Sequence, residues 1–239
     1  AHRWMACPGS ARLVAAAPPQ RVSAAMQAGT EAHSVLEHAL RYGDDVPDDM
    51  PGVALAVNYV RSVIDDMENP EQFIESLVQI SDEVGGTADV ILYDHATGAL
   101  HIIDYKNGRR YVDASSPQLQ FYAACALATH IVLEPSVIYC TIIQPHGETG
   151  DSIRTAVFKP SDIEAFSAEA EAAVKAAQEP DAPAIPGSHC KWCPAFATCP
   201  AGFERTANMP KDEVTKLPDL PDPEGDEYLN GMSALVHLL

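Results

Sequence analysis

Two carboxylates and a lysine carry the sharpest chemistry in the sequence. Asp89 ends the run Gly85-Gly86-Thr87-Ala88-Asp89, and Asp104-Tyr105-Lys106 follows fifteen positions later. Two carboxylates brought to one point repel unless a cation lies between them, and hard oxygen ligands suit Mg²⁺ or Mn²⁺. Lys106 is two residues beyond Asp104, so on a strand both side chains leave the same face. A lysine beside a metal-bound water offsets charge on a phosphate and helps position or deprotonate the attacking water. D-x-K alone is common, and the bland reading is two strand-end turn residues and a solvated lysine. The neighbours decide between the two. His33 is a further metal-ligand candidate, with Glu37 on the same helical face at i+4 as a weak supporting one. Gln118 and Tyr122 are also i, i+4, and an amide and a phenol there suit phosphate binding or orientation of the lysine.

Four cysteines form a second constellation. Cys190, Cys193 and Cys199 read C-x2-C-x5-C, and Cys7 lies more than 180 positions earlier. Without a secretory signal, disulfides are a poor default. A Cys triplet in a Pro-rich segment points to a metal, a polynuclear cluster or Zn²⁺, with His189 as an alternative zinc ligand to Cys7, ahead of bare thiols. Pro8, Pro194, Pro200, Trp4 and Trp192 flank these cysteines. Cys125 and Cys140 sit in helix-like and strand-like apolar runs and read as buried small hydrophobes.

The elements that must position these groups are legible from pattern. Residues 1–22 read as irregular. A helix is predicted from Thr30 to Tyr42, capped by Thr30 and ended by Gly43, and a second from Val53 to Met67. Strands follow at Phe73–Ile80, Thr87–Tyr93 and Leu100–Tyr105, the last two joined by the hairpin loop Asp94–Gly98. Such a hairpin sets Asp89, at the start of one strand, beside Asp104, at the end of the next. Ser116-Pro117 opens a helix to about His130. Strands at Val137–Ile143 and Ile153–Phe158 precede a helix with Ser161 and Glu164 as a capping box, ending near Gln178. This order predicts an α/β fold with a mixed central sheet flanked by helices, not a regularly alternating doubly wound one. The expected division is a domain over 1–205 and an acidic, Pro-rich tail over 206–239 with a short Leu-rich helix.

Charge sets limits. The balance of 15 basic and 34 acidic residues gives −19, which disfavours broad wrapping of a polyanion. The asymmetry still leaves room for a local groove. Residues 1–30 hold Arg3, Arg12 and Arg21 and no acid, residues 31–100 hold fifteen acids, and Lys106, Arg109 and Arg110 make a second basic spot. Arg109, Arg110 and Arg3 are the candidates for contacts to a nucleic-acid backbone, while Arg12 reads better as a solvated surface residue. No apolar run approaches the ~20 residues of a membrane span, and the first residues lack a charged-then-apolar leader pattern. A mean hydropathy of −0.09 with 46% hydrophobic residues excludes a wholly disordered chain. The expectation is a soluble, cytoplasmic protein without membrane contact.

Taken together, G-T-E-A-H, G-G-T-A-D, I-I-D-Y-K-N-G and P-Q-L-Q-F-Y-A, in that order, resemble the PD-(D/E)XK nuclease superfamily. They are most similar to its RecB-like and CRISPR-adaptation-exonuclease-like branch. H-R-W-M-A-C-P-G-S at the start and H-C-K-W-C-P-A-F-A-T-C near the end resemble its phage-encoded, DUF2800-type members. The resemblance implies a restriction-endonuclease-like core, with His33, Asp89, Asp104 and the Tyr105 carbonyl as metal ligands and Lys106 as catalytic lysine. Gln118 and Tyr122 match the motif that follows. It also implies a [4Fe–4S] cluster on Cys7, Cys190, Cys193 and Cys199, stapling the N-terminal arm to the segment after the last helix. The family's proline is absent, since Ala88 precedes Asp89, as is often so in this branch. The implied activity is a Mg²⁺- or Mn²⁺-dependent DNA exonuclease acting on single strands or duplex ends in phage recombination or replication, inside a bacterial host. A homo-oligomer or a recombination partner protein fits that role. A non-catalytic assembly or binding protein and a structure-selective endonuclease are the alternatives.

Overall fold

The run Val90-Ile91-Leu92-Tyr93 is apolar on both of its alternating faces, which marks a strand covered on both sides. In the computed structural model, which describes residues 2–19, 22–81, 84–130 and 133–202, this run lies in β2 (Val84–Asp94). Every residue of β2 except Thr87 is buried. Its antiparallel neighbours are β1 (Pro70–Ser81) and β3 (Ala99–Tyr105). From β3 the chain crosses over through α5 (Pro117–Thr129) to β4 (Val137–Ile143), which pairs parallel with β3, and β5 (Ile153–Phe158) closes the sheet antiparallel to β4. The five strands lie in chain order, so this is a mixed α/β sheet, and its one parallel pair needs the one helical crossover.

Helices cover both faces. On one face α3 (Ala24–Arg41) and α4 (Pro51–Asp65) bury Leu36, Val57 and Val60 against Val90, Leu92, Ile103 and Ile143. On the other, α5 and α6 (Pro160–Gln178) bury Phe121, Ile163 and Phe166 against Ile91, Leu100, Ile102 and Ile138. Trp4, on α1 (His2–Ala6), joins this second core edge-on to Phe121, with ring centroids 5.7 Å apart. Ile102 is fully enclosed, so its truncation to Ala costs ~2–5 kcal/mol. Cys125 and Cys140 are core residues, as their surroundings predict, and burial pushes both thiols up to about 12.

Several boundaries differ from the sequence reading. Residues 2–6 and 10–15 form α1 and α2 (Ser10–Ala15) rather than an irregular arm. Helix α3 starts at Ala24, because the Ser23 hydroxyl accepts the Met26 amide at 3.2 Å, whereas the Thr30 hydroxyl is turned back onto the Met26 carbonyl at 3.1 Å. Its end is the expected one: Gly43 takes φ +76°, the left-handed conformation that stops a helix. Helix α6 starts at Pro160, with the Lys159 amide donating to Asp162, so Ser161 and Glu164 are interior to it. Ser116 makes no side-chain cap, although α5 begins at Pro117 as predicted. No described helix is long and apolar enough to cross a membrane. Arg21 and the tail over 206–239 lie outside the described residues.

Candidate active site

The site lies where β3 ends beside the middle of β2, against α3 and β1. The β2–β3 register pairs Val90 with Ile103, which sets Asp89 opposite Asp104, as the hairpin predicts. Asp89 is fixed by the Tyr105 amide, which donates to its Oδ2 at 2.7 Å. Lys106 follows Asp104 on the same face, and its Nζ reaches Asp104 Oδ2 at 2.7 Å. All three side chains are buried. A buried ion pair of this kind contributes little net stability, because desolvation offsets its attraction.

His33 comes from the middle of α3. Its Nδ1 stands 3.4 Å from Asp89 Oδ2 and 3.5 Å from Glu75 Oε1. Its ring meets Tyr105 edge-on. The side chains of His33, Glu75 and Asp89 hold their ligand atoms within 4.8 Å of one another. Glu75 is the residue that sequence reasoning misses. It sits inside β1, where Ile74 pairs Val90 and Ser76 pairs Ala88, so it faces Asp89 across the sheet. Its φ of +44° is left-handed, which costs a non-glycine residue about 1–2 kcal/mol. Strain that the surrounding fold maintains is commonest where a side chain must be aimed. No sequence pattern announces it, since only the β1–β2 register sets it opposite Asp89. Glu37 takes no part; it pairs with Arg41 at 3.0 Å.

Electrostatics follow from this crowding. Burial and the neighbouring Asp89 push Asp104 up to about 6, against the pull of Lys106. Burial likewise raises Asp89, with His33 and Lys106 opposing. Burial would lower His33, but the Asp89 charge and the Glu75 hydrogen bond outweigh it and hold it near 9. The imidazolium thus occupies the place of a cation between two carboxylates. A divalent ion binding there would displace that proton, as metal sites generally do. Asp104 is engaged by Lys106 and lies outside the three-residue group. Gln118 donates to the Tyr122 hydroxyl at 3.2 Å, and Tyr122 is buried in the core on the α5 side.

The remaining four cysteines line a single cavity. Backbone amides serve two of them: Ile185 donates to Cys7 Sγ and Gly187 to Cys190 Sγ, each at 3.3 Å. The N-terminal arm meets the segment after α6 directly, since the Gly9 amide donates to the Pro183 carbonyl at 2.9 Å. A Cβ at Gly9 would stand 2.6 Å from the Ala182 carbonyl oxygen, so only glycine permits this approach. His189 also lines the cavity, but its Nε2 is engaged with the Ile185 carbonyl at 3.0 Å.

The profile of a family described as "Protein of unknown function (DUF2800)" matches residues 1–79 and 48–239, which together span the chain. The chain belongs to this family. A search of curated proteins finds no match. A solved structure titled "Crystal structure of SSO0001" is similar at 17% identity over 84% of each chain, with a TM-score of 0.36. A similarity that loose carries no argument about this DUF2800 chain.

The three arginines of the DUF2800 chain expected at a nucleic-acid backbone come from two segments, the N-terminal helix α1 and the loop after Lys106. Arg109 and Arg110 are exposed on the loop that leaves Lys106, and the Arg110 guanidinium lies 4.8 Å over the Trp192 ring. Gln144, buried just after β4, clamps this loop. Its Nε2 donates to the Gly108 carbonyl at 2.7 Å and to the Arg110 carbonyl, while its Oε1 accepts from the Val112 amide at 3.3 Å. Arg3 lies beside Cys193 and Cys7, with Nε and Nη2 buried and without a hydrogen-bond partner. Arg12 is exposed on α2. Trp4 serves the main core, and Trp192 lies beneath Arg110 and Lys191.

Proposed function

We propose that this protein is a metal-dependent DNA exonuclease of the PD-(D/E)XK type, hydrolysing phosphodiester bonds from DNA ends. The observation that carries the reading is the convergence of His33, Glu75 and Asp89 within 4.8 Å, beside the end of β3 that holds the Asp104–Lys106 pair. A non-catalytic scaffold has no physical need for a strained glutamate aimed at a buried aspartate. His33, Glu75 and Asp89, with Asp104 adjacent, are the residues that would hold Mg²⁺ or Mn²⁺; the donor set of carboxylate oxygens and one imidazole fits either ion. When bound, the ion supplies Lewis acidity and an acidified water. The chain's own part is to hold and shield. Burial keeps the carboxylates in a medium where their charge acts strongly, and Asp104 keeps Lys106 in place to offset charge gathering on a phosphate. The exposed Arg109 and Arg110, a few residues on, are suited to the DNA backbone.

The cysteine cavity fits a metal–thiolate centre on its own chemistry. Four sulfurs line it, and two already accept backbone amides. Zinc–sulfur bonds of ~2.3 Å would bring the ligand sulfurs to ~3.8 Å of one another. We infer a [4Fe–4S] cluster there, as the family resemblance implies, with Zn²⁺ as the alternative, in a structural role that joins the arm to the end of the domain. The setting we infer is phage recombination or replication in the cytoplasm of a bacterial host.

The test is degradation of linear single- and double-stranded DNA by anaerobically purified protein, with Mn²⁺ or Mg²⁺ against EDTA. Loss of DNA from its ends, with closed circles spared and Asp104→Ala inactive though folded, supports the proposal. Equal cutting of closed circles replaces it with an endonuclease.

A further inference from the structure

A half-buried arginine beside the cysteines has no work in the proposed hydrolysis. Arg3 lies one helical turn before Cys7 on α1, and the Cys7 amide donates to the Arg3 carbonyl at 2.8 Å. The two side chains therefore share a helix face. Trp4, packed edge-on against Phe121, anchors α1 in the core and so fixes where Arg3 points. Its guanidinium Nε and Nη2 are buried and make no hydrogen bond. The groups whose charge it feels are the Cys193 and Cys7 sulfurs. A guanidinium cannot shed its proton in a protein, so burying one without an anion is strongly unfavourable.

The missing anion is suggested by the cavity's contents. Four thiolates carry a charge of about −4, and either a [4Fe–4S]²⁺ core or one Zn²⁺ returns only about +2. Both centres leave a dianion in a poorly hydrated pocket. We propose that Arg3 is the hydrogen-bond donor and counter-charge of a dianionic metal–thiolate centre held by Cys7, Cys190, Cys193 and Cys199. This rests on the metal reading of the cysteine cavity given above, but not on which metal it is. It makes Arg3 a positioning and charge-balancing residue rather than a DNA contact.

The experiment compares the full chain with Arg3→Met, which keeps the bulk and removes charge and donors, and with Arg3→Lys, which keeps the charge. Iron, sulfide and zinc are assayed in each, and metal release to a chelator is timed. In Arg3→Met the release is expected to be at least tenfold faster, with Arg3→Lys between it and the wild type. If iron is present, the Arg3→Met midpoint potential moves to more negative values, because the reduced centre has lost a compensating charge. Thermal melting of the metal-free forms separates this from a purely structural role. Arg3→Met is expected to melt no lower than the metal-free wild type, since it sheds a buried charge; a structural role predicts a lower melting point. A loaded Arg3→Met protein with wild-type release and potential overturns the proposal and leaves the metal reading intact. A wild-type protein that takes up no metal on its cysteines after reconstitution overturns both. Should Arg3→Met fail to fold, Arg3→Lys carries the test, and unchanged release in it refutes the need for a forked donor.

Discussion

Replacing Gln144 tests whether the basic loop beyond Lys106 is held by one buried side chain. Gln144 is 1% exposed. It donates to Gly108 and Arg110 and accepts from Val112 and, at 2.6 Å, from Arg154 Nη2. Each such bond contributes about 1 kcal/mol net, so the four sum to ~4 kcal/mol if none is replaced. Water can reach the carbonyls of exposed Arg110 and half-buried Gly108, and Arg154 still donates to the Val112 carbonyl at 3.0 Å. The expected loss in Gln144→Ala is therefore ~2–3 kcal/mol, or a fall in Tm of roughly 5–10 °C for a domain of this size. Gln144→Glu should be worse than Ala despite its closer shape. It keeps the acceptor for Val112 and Arg154 but turns a carboxylate oxygen toward two carbonyls. Differential scanning calorimetry of both variants measures the effect. A Tm drop below about 2 °C in Gln144→Ala, or a Glu variant as stable as wild type, would refute the clamp.

Other consequences are as concrete. Glu75→Gln should weaken Mn²⁺ binding by roughly 10- to 100-fold, read by isothermal titration, because it removes one of three converging donors; unchanged affinity places the metal elsewhere. Arg109→Ala with Arg110→Ala should lower DNA affinity and reduce the slope of log K against log salt by about 1.4–1.8, the value for two phosphate contacts, in a salt titration by fluorescence anisotropy. An unchanged slope removes them from the interface. Burial lowers His101 to about 4, with its ring stacked on Tyr139. The unfolded chain then binds a proton between about pH 6.5 and 4 that the folded one refuses, so its contribution to stability is lost as pH falls through that window. The drop in Tm from pH 7 to pH 5 should be smaller in His101→Phe than in wild type, and an equal drop contradicts the assignment.

How much was legible in the sequence depended on how local each signal is. β4 and β5 have the expected bounds, and β2 and β3 lie within two or three residues of them, because alternating or unbroken apolar runs between turn residues fix them locally. The Asp89–Asp104 apposition followed from the hairpin alone. Helices α1 and α2 were hidden because five or six residues beside prolines carry no period; they form through packing, as Trp4 on Phe121 illustrates. Glu75 was hidden because its role needs the β1–β2 register and a left-handed backbone that no residue pattern announces. The surroundings of Gln144 and Arg3 were unreadable for one reason: three of the groups Gln144 bonds lie 32 to 36 positions away, and Arg3 lies near Cys193, close to the end of the described chain.

The central claim is that the His33, Glu75 and Asp89 group beside Lys106 cuts DNA with a divalent ion. Its most direct test is end-labelled linear DNA incubated with wild-type protein and with Asp89→Asn, in Mn²⁺ and in EDTA. The account predicts progressive shortening from the ends in Mn²⁺ with wild type alone. Intact DNA from a folded, Mn²⁺-binding wild-type protein, or equal shortening by Asp89→Asn, would contradict it.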